Sequence, residues 1–289
     1  MSDTGRVRDV EQITDVVADH GEGPVWSTGW GGLRFVDMLA GAVLTLRPDG
    51  TVDRLDVGRV AAFVRPRRAG GYVVATEHGL GLAGSADAVP DRSVDISRTP
   101  GERMNEGAAA PDGSLYVGST TWDQAPERGH LYRVTPDLQV QTVLADVTIS
   151  NGLDFSPGLD HAYYVDSGAG RMDTFDVVGG ALTRRRPLVT LSRDIGDLDG
   201  LTVDSEGTIW VAVYGAGAVH RYSPAGRLLE VVEVPVPHVT ACTFGGPDLR
   251  QLYITTSRGG AGEHAPPGAG ALFVTRSDVP GLPVRAFAG

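Results

Sequence analysis

Six short runs of β-branched, aromatic and leucine residues recur along the chain at a nearly constant interval. This repeat limits the possible folds more than any other feature. The runs are Leu33-Arg34-Phe35-Val36-Asp37, Gly71-Tyr72-Val73-Val74-Ala75, Leu115-Tyr116-Val117-Gly118, Ala162-Tyr163-Tyr164-Val165-Asp166, Ile209-Trp210-Val211-Ala212 and Leu252-Tyr253-Ile254-Thr255. With Phe35, Val73, Tyr116, Tyr163, Trp210 and Tyr253 as anchors, the steps are 38, 43, 47, 47 and 43 residues. Their mean, about 44, is the length of one four-stranded propeller blade. Most anchors follow a turn signal such as Gly31-Gly32, Asp112-Gly113 or Glu206-Gly207, with another apolar run upstream. That is one hairpin per repeat. A second hairpin follows in most repeats, as in Leu131-Tyr132-Arg133-Val134 with Pro136-Asp137. An isolated four-stranded sheet cannot bury both faces, but six packed radially can. The expected fold is therefore all-β, a six-bladed β-propeller formed by residues 1–289 as one domain. Ring closure is expected from a strand near residues 10–17 or from residues 284–288. A large β-sandwich competes, but it would not need a steady period.

Composition narrows the chemistry. The 289 residues include 40 Gly and 18 Pro, which the repeat places in turns. A net charge of −11 argues against a nucleic-acid or other phosphate-binding surface. There is no Lys, which removes a Schiff-base amine and a P-loop lysine. The single cysteine, Cys242, excludes an internal disulfide and a thiolate-based metal site. Neither a signal-length apolar run nor a membrane span stands out, so a soluble, cytoplasmic protein with no membrane partner is expected.

The innermost strand of each blade lines the central channel, so residues at its start converge at one mouth. At 11 to 13 residues before the anchors stand Glu22, Asn105, Asn151 and Asp199, in blades one, three, four and five. The only two Asn of the chain are among them. Blades two and six carry Ala62 and Cys242 at that offset. Each polar residue is next to a Gly or two residues from one, which permits close approach of backbone or ligand. Asn-Gly and Asp-Gly are common turn dipeptides, but here they precede a strand instead of joining two. Glu22, Asn151 and Asp199 offer hard oxygen donors. Such a set suits one divalent cation, Ca²⁺ foremost, with Mg²⁺, Mn²⁺ or Zn²⁺ as alternatives. His20 and His238 lie near strand starts and read mainly as turn or surface residues. Cys242 reads as packing, and Asp37 and Asp166 as acceptors for backbone amides.

The chain also resembles the SMP-30/gluconolactonase family of sugar lactonases. The resemblance rests on Gly21-Glu22-Gly23-Pro24-Val25-Trp26, Arg103-Met104-Asn105-Glu106-Gly107, Ser150-Asn151-Gly152-Leu153-Asp154-Phe155, Asp199-Gly200-Leu201 and Cys242-Thr243-Phe244-Gly245-Gly246, in that order. It covers nearly the whole chain. It implies a six-bladed propeller with one divalent metal in the channel, held by Glu22, Asn151 and Asp199, and a substrate-contacting pair, Arg103 and Asn105. Met104 stands where the family usually has Phe, and Glu106 where it usually has Asp. In the loop 120–129, where relatives place a substrate-facing Glu, this chain offers Trp122 and Asp123.

These residues fit metal-dependent opening of a sugar-acid or related small lactone. A cation would activate water or polarise the carbonyl. Asp199 would be the general base, and Arg103 and Asn105 would meet the developing charge. Two alternatives use the same residues: a phosphotriester (organophosphate) hydrolase, and a metal- or ligand-binding propeller without catalysis.

Overall fold

A computed structural model describes residues 8–289, so residues 1–7 of the expected domain lie outside it. The architecture is the expected six-bladed propeller, all-β: six four-stranded antiparallel sheets, with no α-helix among the described residues. The innermost strands are Gly21–Ser27, Phe63–Pro66, Glu102–Ala109, Ser150–Phe155, Asp197–Val203 and Val239–Gly245. Successive inner strands pack against each other around the axis. The second strands carry the apolar runs of the repeat; Phe35, Val73, Tyr116, Trp210 and Ile254 are almost wholly buried. No described helix is long and apolar enough to cross a membrane.

Closure uses the N-terminal option. Glu11–Gln12 pairs antiparallel with Phe273–Arg276, so the start of the chain supplies the outermost strand of the last blade. A second tie joins blades six and one, where His20 bridges Ser257. The C-terminal residues take another role. Asp204 bridges Gly281, and Arg67 bridges Phe287, whose ring is fully buried in the core beneath blade two. Between those ties, Leu282, Pro283, Val284 and Arg285 line a cavity with the far ends of the inner strands, and Arg285 pairs with Asp154 at 3.2 Å. The tail is thus a strap across the mouth opposite the strand starts.

The inner strands are irregular where the polar residues lie. Pairing with the second strand slips by one residue between Glu22 and Val25, Met104 and Gly107, Ser150 and Leu153, and Leu198 and Leu201. Such bulges re-aim side chains. Asn105, Asn151 and Asp199 fall inside them, and Glu22 stands immediately before one. In blade six the slip falls at Thr240. Cys242 is instead paired regularly opposite Ile254, buried, with its Sγ–H directed at the Trp210 carbonyl (3.5 Å). The inner strand of blade two pairs without a slip.

The glycines beside these residues make room for protein. A Cβ on Gly152 would come within 2.5 Å of the Leu201 nitrogen and 2.8 Å of the Asp199 carbonyl oxygen. One on Gly200 would meet Ala241 Cβ at 2.4 Å. The inner strands of blades four, five and six therefore approach each other only because those positions lack a side chain. Asp37 and Asp166 end second strands, and their carboxylates accept the backbone N–H groups of Asp19 and His20, and of Thr148 and Ile149. They fix the chain as it enters the inner strands holding Glu22 and Asn151. We expect Gly200→Ala to destabilise the protein by about 1–3 kcal/mol, the cost of overpacking. Chemical denaturation would measure it, and an unchanged midpoint would contradict this account of the inter-blade contact.

Candidate active site at the channel mouth

At the end where the inner strands begin, the channel opens into a cavity of ≈ 300 Å³. Glu22, Arg103, Asn105, Asn151 and Asp199 all line it. Each is at least nine-tenths buried by residue exposure, from 4% for Glu22 to 7% for Arg103, Asn151 and Asp199. The fold thus brings together five residues spread over nearly 180 positions of sequence.

The two asparagines differ in what their amides have left to give. Asn105 accepts from Arg103 Nη1 (2.7 Å) through Oδ1 and donates from Nδ2 to the Ser150 carbonyl (2.9 Å). Both its polar atoms are engaged, and it holds the guanidinium against the neighbouring blade. Asn151 donates from Nδ2 to Ser167 Oγ (2.9 Å), and Ser167 donates onward to the Leu198 carbonyl (2.6 Å). The oxygen of Asn151 is the atom that remains.

Arg103 Nη1 also donates to the Met104 carbonyl (3.2 Å) and contacts Met38 Sδ (3.4 Å). Its Nε is buried without a partner. Burial lowers its pKa to about 10, against the opposing pull of Glu22; it remains charged at neutral pH. Burial also drives the Glu22 and Asp199 carboxyls well above the usual carboxylate range. The nearby charges of Asp199 and Glu106 add to the effect on Glu22, and that of Glu106 to the effect on Asp199.

Glu106, which the shared register did not single out, is a third buried acidic group. It is 5% exposed, and its Oε1 accepts from the Gly107 N–H (2.9 Å) and Arg65 Nη2 (3.1 Å). Burial raises its pKa too, with Arg65 opposing. Arg65 comes from blade two, which carries Ala62 at the mouth register. Only the ring geometry brings its guanidinium to Glu106. His20 also lines the cavity, with Nδ1 2.8 Å from Ser257 Oγ and Nε2 3.6 Å from Glu22 Oε1. Burial and the charge of Arg103 lower its pKa to about 4, so it is neutral at pH 7. Tyr214, Asp197 and Gln124 complete the polar lining. His238 stacks on Tyr214, with ring centroids 4.4 Å apart.

In the 120–129 loop, Gln124 lines the cavity, in a left-handed conformation (φ 51°). Trp122 reaches the site indirectly: the Arg103 guanidinium lies 5.3 Å from its ring centroid. Asp123 lines a separate pocket with Pro100, Gly101, Thr121, Trp122 and Arg128, and accepts from the Ala125 N–H. Glu77 holds the Trp122 indole N–H at 3.2 Å.

The residues fit a hard cation. Asp199 Oδ1 is buried with no hydrogen-bond partner. Glu22 and Asp199 repel one another in a desolvated space, a cost that a positive ion removes. Among the described residues no three His, Cys, Asp or Glu side chains converge as a metal cluster. The set here is two carboxylates and a carboxamide, an all-oxygen donor group.

Residues 20–258 match the family described as SMP-30/Gluconolactonase/LRE-like region. The chain belongs to that family. Rabbit (Oryctolagus cuniculus) regucalcin is 35% identical, over 93% of this chain and 95% of its own. A calcium-binding regucalcin from Agrobacterium tumefaciens superposes with a TM-score of 0.88 at 25% identity, covering 98% of this chain and 97% of that one. A gluconolactonase from Xanthomonas campestris superposes with a TM-score of 0.74 at 25% identity, covering 94% and 89%. The matched segment spans all six inner strands and every residue that lines the mouth cavity.

The raised carboxyl pKa values have a measurable consequence. A group whose folded pKa exceeds its unfolded one stabilises the fold below the unfolded value and loses that contribution as pH rises through the folded value. The metal-free protein should therefore lose stability as pH rises above about 4.5, the region of an ordinary Glu. Saturating Ca²⁺ should flatten the decline, and Asp199→Asn should flatten it without a cation. Thermal melts from pH 5 to 8, with chelator or with Ca²⁺, test this; identical profiles would show that Ca²⁺ does not relieve the repulsion.

Proposed function

We propose that this protein is a divalent-cation-dependent hydrolase that opens a small lactone. The observation that carries the reading is the buried oxygen set of Glu22, Asn151 and Asp199, with an unpartnered Asp199 oxygen, beside a guanidinium held by Asn105. The gluconolactonase among the structural relatives supports the reaction class, and the calcium-binding regucalcin supports the cation.

Glu22, Asn151 and Asp199 would hold the cation, which when bound supplies Lewis acidity for the ester carbonyl and for water. The chain's own groups account for the rest. Asp199 accepts the proton of the attacking water as the water oxygen bonds to the carbonyl carbon. Arg103 donates N–H groups to the oxygen on which negative charge develops. Its buried, water-poor setting makes that hydrogen bonding stronger than in solvent. The ring C–O bond then breaks as the carbonyl re-forms, and the departing ring oxygen takes the proton held by Asp199 to become a hydroxyl. The product is an open-chain hydroxy acid, so atoms and charge balance with one water consumed. Asn105 keeps Arg103 aimed, and Arg65 partly neutralises Glu106, whose charge acts on Glu22 and Asp199.

A scaffold that only binds a cation has no need of a desolvated arginine with a free Nε in the same cavity. A panel of lactones and phosphotriesters, assayed with Ca²⁺, Mg²⁺, Mn²⁺ and Zn²⁺, separates the possibilities. We expect lactone opening that chelator abolishes. Hydrolysis of phosphotriesters alone, or tight cation binding without turnover of either class, would reject the proposal.

The residue roles separate in two variants. Asn151→Ala should weaken cation binding about tenfold or more by calorimetry. Arg103→Ala should leave cation affinity within a few-fold and lower kcat/KM by about 10²–10³. The opposite pattern would exchange the assigned roles.

A further inference from the structure

The polar cavity opens onto apolar side chains. Leu39 lines it while remaining 48% exposed, and Ile149 lines it as well. Trp122, 42% exposed, covers Arg103, and Ile195, 50% exposed, stands two residues before the strand that carries Asp199. The register puts all four at the same end of the ring. Gly21 pairs with Asp37, just before Leu39, and Glu102 pairs with Thr121, just before Trp122. Ile149 and Ile195 lie on the connections entering blades four and five. Four large apolar residues from four separate connections therefore surround one mouth, where single exposed apolar residues would need no explanation.

Trp122 is fixed in place. Its N–H donates to Glu77, the Arg59 guanidinium lies 4.9 Å from its ring centroid, and Arg59 itself pairs with Glu77 at 2.8 Å. Two guanidinium groups, those of Arg59 and Arg103, lie against the indole, and the part of its surface still exposed is what a ligand can contact. Sugar hydroxyls seated against Leu39, Ile149 and Trp122 would exchange water for apolar surface and lose hydrogen bonds.

We propose that the rim selects lactones bearing an apolar substituent. The ester lies in the polar cavity and the substituent lies against Leu39 and Trp122. This rests on the lactonase reading above and adds the substrate class.

The test compares kcat/KM for the cation-loaded enzyme on γ-lactones with straight alkyl substituents of zero to six carbons, and on a polyhydroxylated δ-lactone. We expect a rise of about fourfold per added methylene over the first few carbons. The best alkyl lactone should exceed the polyhydroxylated one by about tenfold or more. In Leu39→Asn, each lactone referred to the unsubstituted one in the same variant, the slope should fall to about twofold per methylene or less. A flat series in the wild-type enzyme, or a polyhydroxylated lactone turned over faster than every alkyl one, would overturn the apolar rim and leave the lactonase reading intact. Turnover of no lactone would remove both. An unchanged slope in Leu39→Asn would show that the substituent lies elsewhere.

Discussion

A sheet with two apolar faces has to find cover for both, and in this chain each blade finds it only in the next blade. That requirement closes the ring. It explains why Glu11–Gln12 crosses the closure seam to complete the sheet of Phe273–Arg276, and why Ser257 of the last blade meets His20 of the first. It also dictates the crowding at the axis. Six inner strands arranged around one line approach too closely for ordinary side chains, so Gly152 and Gly200 stand where a Cβ would strike the neighbouring strand. The bulges beside them turn Asn151 and Asp199 into the channel. The site is thus a product of the geometry that closes the fold.

The same crowding sets the electrostatics. Glu22, Glu106 and Asp199 are carried into a space from which water is largely removed, and their pKa values rise together. Two guanidinium groups offset this. Arg65 binds Glu106 directly, and Arg103 acts on Glu22 through its charge. Arg103 is also held by Asn105, which depends on the Ser150 carbonyl of the adjacent blade. The excess negative charge that remains suits a hard cation. The cavity thus joins a polar, charge-bearing base to apolar loop residues at its rim.

Much of this was legible in the sequence for a specific reason. The interval between apolar runs records the length of one blade, and a residue's position within the interval records its height along the axis. Glu22, Asn105, Asn151 and Asp199 share that height and do meet. Residues outside the shared register could not be placed by spacing alone. Arg65 lies partway down the inner strand of blade two, and its tie to Glu106 spans two blades. His20 precedes its strand, and Gln124 reaches the cavity through a left-handed turn in a loop whose path the repeat does not encode. Glu106 was visible beside Asn105, but its burial and its influence on Glu22 and Asp199 follow from packing around the axis. Cys242 is buried packing, as its sequence suggested, and it marks the limit of the offset: counting from an anchor assumes the same bulge in every blade, and blade six places its bulge at Thr240.

The sequence by itself determined the number of blades, the order of strands within them and the residues able to share one channel mouth, because these are properties of spacing along the chain. Tertiary structure decided which end strand closes the ring, that residues 282–285 run across the opposite mouth, and which polar atoms remain unspent. Those outcomes depend on distances between residues far apart in sequence. A hydrogen bond such as that from Asn105 to Ser150, or the loss of water around Asp199, exists only once separate blades have been packed against each other.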